Sequence, residues 1–336
     1  SRDPDVSVLL PVRNGATHLP EAIASLEAQT LENFEVVAVD DGSTDRTAEI
    51  LGAWAVRDSR VRVLHQAAAG IVAALERARS AARAPYLARM DADDVCDRSR
   101  LAEQRALMER EPALVACGCG VAYFPQESVR DGARRYEEWM NASVTPDQIA
   151  RDIFVECPLA HPSFFIRASA LERVGGYRDQ DWPEDYDLVL RLWASGGRFG
   201  KVPQLLLRWR EGPERLSRTD PRYAAGAFLA CKVHHLRRTL LVGRAGVVVW
   251  GGGPVGKAAA RALLGAGTRV IAFVDVDPRK VGQVIHGAPV LAVGEGVGIE
   301  GALHLAAVGQ PGARERLRRM LGEAGLEELR DFVAIA

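Results

Sequence analysis

Three acidic clusters carry the clearest chemical potential in this chain: Asp40-Asp41-Gly42-Ser43-Thr44-Asp45, Asp91-Ala92-Asp93-Asp94 and Glu184-Asp185-Tyr186-Asp187. In the second cluster Asp91 and Asp93 fall on the same side of an extended backbone. Carboxylates placed so closely repel unless a cation sits between them. Hard divalent ions such as Mg2+ and Mn2+ take oxygen ligands and share them with substrate phosphates. A solvated acidic loop accounts for an isolated Asp-x-Asp equally well. In the first cluster Asp40 and Asp41 lie on a tight turn, where Asp41 can accept from a base N–H or from ribose hydroxyls. Asp45 is expected to cap the helix that begins near Thr44. In the third cluster Pro183 and the following acids suit the first turn of a helix on electrostatic grounds alone. A carboxylate there, beside Trp182 as a platform for a sugar face, could also take the proton from an attacking hydroxyl.

These clusters need elements to hold them at one edge. β-Branched apolar runs predict strands over Val6–Leu10, Glu35–Val39, Val61–Leu64, Tyr86–Met90 and Leu114–Cys119. Between them, Leu19, Ile23 and Leu26, then Ile50 and Trp54, then Ile71, Leu75 and Ala78 mark helix faces. Strands alternating with helices predict an α/β fold with a mostly parallel sheet, which binds ligands at the carboxyl ends of its strands. Residues 123–158 read as an insertion of helices and loops. A short strand (Ser163–Ile166), a helix closed by Gly175-Gly176, a helix over Glu184–Ala194, a strand near Val202–Trp209 and a long helix over Arg222–Leu241 follow. The strand–turn–helix pattern then restarts at Gly246, so the domains are expected to be 1–243 and 244–336.

In order and spacing these pieces resemble the family 2 glycosyltransferases, which have the GT-A fold. The resemblance rests on Pro11-Val12-Arg13-Asn14-Gly15, the Asp40–Asp45 run, Ala88-Arg89-Met90-Asp91-Ala92-Asp93-Asp94, His161-Pro162-Ser163-Phe164, Gly175-Gly176-Tyr177, Glu184-Asp185-Tyr186-Asp187-Leu188 and Trp209-Arg210, and covers about residues 5–220. It implies a nucleotide-sugar donor, usually a UDP-sugar, and a single displacement that inverts the anomeric centre. On matching positions Pro11, Val12, Arg13, Asp40 and Asp41 would hold the nucleotide, Asp91 and Ala92 the ribose side, and Asp93 the Mn2+ or Mg2+ ion. Asp185 would be the general base, with Glu184 beside it. Three positions depart from the pattern. Arg13 stands where Tyr is common, Glu76 where Asn is frequent, and Glu211 where many relatives have His. His161 matches the family and reads as a structural hydrogen-bonding residue rather than a metal ligand.

The second domain opens with a strand (Val247–Trp250), the loop Gly251-Gly252-Gly253-Pro254-Val255-Gly256, a helix to about Leu264 and a strand (Val270–Val274) ending in Asp275. This is the glycine fingerprint in its required context, so Gly251, Gly253, Gly256 and Asp275 are candidates for binding a second nucleotide. The glycines also suit tight helix–strand packing alone. The segment from Val274 to Val290 resembles the small nucleotide-binding half at the start of some bacterial sugar acyltransferases. Fewer than 100 residues leave room for one such half, so a small Rossmann-like domain is expected.

With 43 Lys plus Arg against 44 Asp plus Glu, a net charge of −1 supplies no field to gather nucleic acid. Five cysteines without histidines at ligand spacing read as reduced and buried, Cys117 and Cys119 sharing one strand face. With no membrane-length apolar run, the expected setting is cytoplasmic, with contact at the inner membrane face left open. The acceptor is left open between saccharide, lipid-linked and small-molecule classes, and homodimer formation is open too. Two other functions stay in view: a non-catalytic sugar-nucleotide-binding or regulatory protein, and an NAD(P)-linked sugar-modifying enzyme acting through the second domain.

Overall fold

The computed structural model describes residues 3–212 and 215–336, with the side chains of 216 and 217 outside that description. The chain divides into two compact units, 1–150 with 158–219 and 151–157 with 220–336. The second unit thus takes in the helix over 225–238, whereas the renewed strand–turn–helix pattern had placed the boundary at Gly243. Residues 151–157 join it from far back in the chain, which no local periodicity signals.

The first unit begins with β1 (Val6–Val12), α1 (Leu19–Glu27), β2 (Phe34–Asp41), α2 (Thr47–Arg57), β3 (Val61–Gln66), α3 (Ile71–Ala81) and β4 (Tyr86–Arg89). There follow β5 (Val95–Cys96), α4 (Arg100–Arg110), β6 (Leu114–Phe124), α5 (Asp131–Ala142) and α6 (Pro146–Asp152). β7 (Phe165–Arg167), α7 (Ala168–Arg173), α8 (Glu184–Ala194), β8 (Arg198–Arg210) and α9 (Leu216–Thr219) complete it. The eight strands lie in the order β3-β2-β1-β4-β7-β6-β8-β5. β1 to β4 are parallel, while β7 runs antiparallel between β4 and β6. Every residue of β2 is buried, as are all of β1 but Pro11, which is why both are mostly apolar rather than alternating, with Ser7 bonded to Glu35 where polar residues intervene. Each fully buried Val or Leu of these strands contributes about 1.5–3 kcal/mol. β3 closes one edge and buries only Val61.

Two differences from the sequence reading stand out. β6 extends to Phe124 and β8 starts at Arg198, because the two strands pair with each other over their length, through register shifts around Gly120. The expected insertion is the helix pair α5 and α6. All five cysteines are buried. Among the described residues no helix is long and apolar enough to cross a membrane.

The second unit comprises α10 (Ala225–Arg238), β9 (Val247–Trp250), α11 (Pro254–Gly265), β10 (Val270–Val274), β11 (Val284–Ile285) and β12 (Ala288–Leu291). It ends with α12 (Val293–Val297), β13 (Leu303–Ala306), α13 (Ala313–Glu323) and β14 (Phe332–Ala334). Its sheet has the order β11-β12-β10-β9-β13-β14, parallel except for β11. β9 therefore has β10 on one side and β13 on the other. That reversal of strand order opens a crevice at the carboxyl end of β9. The buried Lys232 of α10 donates to the carbonyls of Val155 and Ile335, and Arg318 of α13 pairs with Asp152, so residues 151–157 are tied into this unit by charged hydrogen bonds.

Candidate active site

The parallel register places the ends of β1, β2 and β4 side by side, Val12 opposite Asp40 and Leu9 opposite Arg89. Their following loops are stitched together by side chains. Asn14 Oδ1 accepts from Thr44 N at 2.8 Å, Gly15 N donates to Thr47 Oγ1 at 2.9 Å, and Asp45 Oδ2 accepts from Ala16 N at 3.1 Å. Asp45 Oδ1 also accepts from Thr47 N, so although Arg46 is the N-cap of α2, Asp45 braces the start of that helix while crosslinking two loops. Gly15 lies against Val12 and Ala92, which brings the first and second acidic clusters to one place. Arg13 is exposed at this edge.

Asp40 and Asp41 are both buried, and both are already engaged. Asp40 accepts from Ser43 N at 3.1 Å and lies 3.2 Å from His65 Nδ1. Asp41 accepts from Gln66 Nε2 and Ala69 N at 2.8 Å and from Gly70 N at 2.9 Å. Three of its roughly four lone-pair positions are thus spent on the loop entering α3. It braces that loop, with one position left.

Beyond β4 the carboxylates of Asp91, Asp93 and Asp94 converge, with an oxygen from each within 4.8 Å of the others. β8 delivers Arg210 to the same spot, because β5 pairs with β8 just after the cluster. Arg210 N donates to Asp94 Oδ1 and its Nε to the Asp93 carbonyl, both at 2.7 Å, and its guanidinium also pairs with Glu21. Arg89 is buried and pairs with Asp91. Even so, burial and the neighbouring Asp91 raise the Asp93 carboxyl to about 6, and burial with Asp91 and Asp93 pushes Asp94 well above the usual carboxylate range. Asp94 Oδ2 is buried with no hydrogen-bond partner. Three hard oxygen donors, crowded, partly desolvated and one of them orphaned, fit a divalent cation.

Sequence reading missed Asp94, Arg89 and Arg210 as parts of this site. The signal for Arg89 was present, since it lies two residues before Asp91 and so on the same side of the strand. Arg210 was named within a motif, but its place beside Asp93 and Asp94 was not readable because its strand is far away in the chain.

Glu211, standing where relatives have His, is buried and ion-paired with Arg215 at 3.1 Å and Arg218 at 2.8 Å. Arg215 in turn lies 4.4 Å over the Trp209 ring, which stacks on Tyr123 at 4.9 Å. Its charge is thereby held near Asp93 and Asp94, lowering both carboxyls slightly against the stronger effect of burial.

The third cluster occupies the first turn of α8, with Pro183 as N-cap. Glu184 is 1% exposed and faces His161 Nδ1 at 3.5 Å. His161 Nε2 lies 3.1 Å from the Tyr177 hydroxyl, and burial with the nearby Arg89 charge holds the imidazole well below its ordinary pKa, hence neutral. Asp187 accepts from Arg191 Nε at 2.7 Å and from the Trp182 indole at 3.2 Å. Asp185 is the acid of this turn that is only part-buried, its Oδ1 accepting from Tyr186 N at 2.7 Å. Tyr177 feels Arg89, Glu184 and Asp185 electrostatically, and Arg89 feels Asp91, so the second and third clusters share one neighbourhood.

Glu76, the other departure, holds this neighbourhood in place. Its carboxylate accepts from Tyr177 N at 2.7 Å and from Arg79. Gly176 has φ of +69°, and a Cβ there would overlap Glu76 Oε1. Gly176→Ala is therefore expected to cost about 1–3 kcal/mol, read as a lower melting temperature. An unchanged melting temperature would show that the turn does not rest on Glu76.

In the second unit Gly251 and Gly253 lie between β9 and α11, Gly256 is in the first turn of α11, and Asp275 directly follows β10. Asp275 is bonded inward. Its Oδ2 accepts from Gly252 N and Lys280 Nζ, both at 2.8 Å, and its Oδ1 from Asp277 N at 3.0 Å.

Comparison with known proteins agrees with this geometry. A family model described as glycosyl transferase family 2 matches residues 7–175. EpsE of Bacillus subtilis (strain 168) is 30% identical over 227 residues, covering 66% of this chain and 78% of its own length. The amylovoran biosynthesis glycosyltransferase AmsE of Erwinia amylovora is 27% identical over 215 residues, covering 63% and 78%. Among solved structures, S. aureus TarS 1–349 in complex with UDP-GlcNAc superposes with a TM-score of 0.57 at 16% identity, covering 77% of this chain and 71% of that one. The mannosyltransferase PcManGT from Pyrobaculum calidifontis, in complex with GDP-Man and Mn2+, gives 0.50 at 21% identity, covering 70% and 63%.

The sheet and its carboxyl-edge acids define a GT-A glycosyltransferase, as the sequence pattern had implied. The chain belongs to glycosyl transferase family 2.

Proposed function

We propose that the first unit transfers a sugar from a nucleotide-sugar, a UDP-sugar by preference, to an acceptor hydroxyl with inversion. The observation that carries this reading is the convergence of Asp91, Asp93 and Asp94 around a buried, unpartnered carboxylate oxygen at the carboxyl edge of the sheet. TarS binding UDP-GlcNAc and PcManGT binding GDP-Man with Mn2+ on the same fold support both a nucleotide-sugar donor and a metal for this chain.

Asp93 and Asp94 would hold a Mn2+ or Mg2+ ion, with Asp91, kept in place by Arg89, on the ribose side. Bound there, the ion neutralises charge on the departing diphosphate. Pro11, Val12 and the loop anchored by Asp41 would enclose the base, and Arg13 at the rim would contact the donor. Asp185 takes the proton as the acceptor oxygen attacks the anomeric carbon. The bond from that carbon to the diphosphate oxygen breaks with its electron pair leaving on the nucleoside diphosphate. Glu184, buried against His161, would support the first turn of α8 beside Asp185. AmsE, named for amylovoran biosynthesis, favours a saccharide acceptor, free or lipid-linked.

Calorimetric titration with UDP, GDP and dTDP, with and without Mn2+, tests the reading. We expect one nucleoside diphosphate to bind at least tenfold more tightly with metal. A titration in which Mn2+ tightens the binding of none of the three would overturn it.

A further inference from the structure

The crevice at the end of β9 is a cavity of about 610 Å³ lined entirely by the second unit. It is large enough for a small-molecule ligand. One wall is the Gly251–Gly256 loop and the start of α11, which has no side-chain cap. The opposite wall is the first turns of α13, including Arg316, Leu317 and Met320. Val255 and Val276 line it too, and both are among the exposed large hydrophobic side chains of the chain.

The three fingerprint glycines separate by what demands them. Gly251 has φ of +115° and a Cβ there would lie 2.7 Å from the Ala307 carbonyl oxygen, while a Cβ at Gly256 would overlap the Gly251 carbonyl oxygen. Both are explained by close packing of the loop on the strands. Gly253 is different. Its φ of −86° suits any residue and nothing lies within 4 Å of where its Cβ would be. The space a side chain would take is the cavity itself, so a glycine is required there only if a ligand approaches the backbone.

Arg316 is a second anomaly. A cation in the opening turns of a helix stands against the positive end of the helix dipole. Arg318, two residues on and on another side of α13, is compensated by Asp152, Glu315 and Glu328. Arg316 is exposed at the cavity wall, and among the described residues no ion pair or side-chain hydrogen bond is found for it. An anion between the start of α11 and Arg316 would satisfy both.

We propose that this cavity is a second nucleotide site, binding a nucleoside mono- or diphosphate with the phosphate against Gly253 and Arg316 and the base between Val255, Val276 and Leu317. Asp275, turned inward onto Gly252 and Lys280, serves as the latch of the loop and offers at most one lone pair to a ribose. A dinucleotide such as NAD, whose adenosine ribose is gripped at that position, is therefore disfavoured. The proposal is independent of the transferase reading.

The test is calorimetry on the full chain carrying Asp93→Ala, in EDTA, with UDP, ADP, NADH and inorganic phosphate as probes. We expect UDP or ADP to bind at one site, with affinity reduced at least tenfold by Gly253→Leu and by Arg316→Gln. Arg316 is exposed, so its variant leaves folding intact even if Gly253→Leu does not. Loss on Gly253→Leu or Arg316→Gln marks the second unit whatever the first unit does. Absence of binding by every probe, affinity unchanged in Arg316→Gln, phosphate binding as tightly as nucleotides, or NADH binding more tightly than either mononucleotide would each overturn the proposal.

Discussion

Asp185→Asn is expected to lower turnover by about 100-fold or more while leaving donor affinity nearly intact. The amide keeps the shape of the side chain and its contact with Tyr186 N, but cannot accept a proton at the acceptor oxygen. The neighbouring acids cannot substitute. Glu184 is buried against His161, and Asp187 is committed to Arg191 and Trp182. Glu184→Gln should instead act through the fold, because it changes a buried side chain packed against His161; a lowered melting temperature with a modest loss of turnover is the expected pattern. Nucleoside diphosphate release with a panel of saccharide acceptors, beside calorimetry with the donor nucleotide, separates these effects. Turnover of Asp185→Asn within about threefold of wild type would move the base elsewhere.

Asp93→Ala should abolish metal-dependent nucleotide binding and lower turnover about 100-fold or more, since several kcal/mol of charge stabilisation on the diphosphate go with the ion. The same residue gives a pH signature. Burial first, then the Asp91 charge, raises its carboxyl from an ordinary 3.8 to about 6. A raised carboxyl means that the folded chain holds this proton more tightly than the unfolded one. Its contribution to stability is complete below about pH 3.8 and is lost as pH rises through about 6. Without metal, the melting temperature should therefore carry a downward component between those values. Mn2+ should restore stability above pH 6, where the carboxylates are ionised and able to bind it. In Asp93→Ala both the downward component and the Mn2+ effect should shrink. A melting temperature indifferent to Mn2+ at pH 7.5 in wild type would argue against a cation among these acids.

Much of the site was legible in the residues because it is built from contiguous stretches. The Asp40–Asp45 and Asp91–Asp94 runs each follow a buried strand, and a parallel sheet brings the ends of its strands to one edge whatever their distance in sequence. The α8 turn was legible for the same local reason, with Pro183 and three acids marking a helix start. The engagement of Asp41 was not. Its three donors come from 66, 69 and 70, and which loop packs beside β2 depends on the strand order. Arg210 reaches Asp93 and Asp94 only because β5 pairs with β8, more than a hundred residues away.

The amino-acid sequence by itself determined the element types, the α/β class, the two-part organisation and the three acidic clusters, because strand and helix periods, caps and glycine turns are properties of neighbouring residues. Only the tertiary structure decided which carboxylates are available and which are spent. Asp185 is part-buried while Glu184 and Asp187 are buried, Asp94 joins Asp93, and Asp275 turns inward onto Gly252 and Lys280. The reason is physical: the charge state and reach of a side chain depend on burial and on donors supplied by distant segments, and those are fixed by how the sheets are ordered rather than by what stands next in the chain.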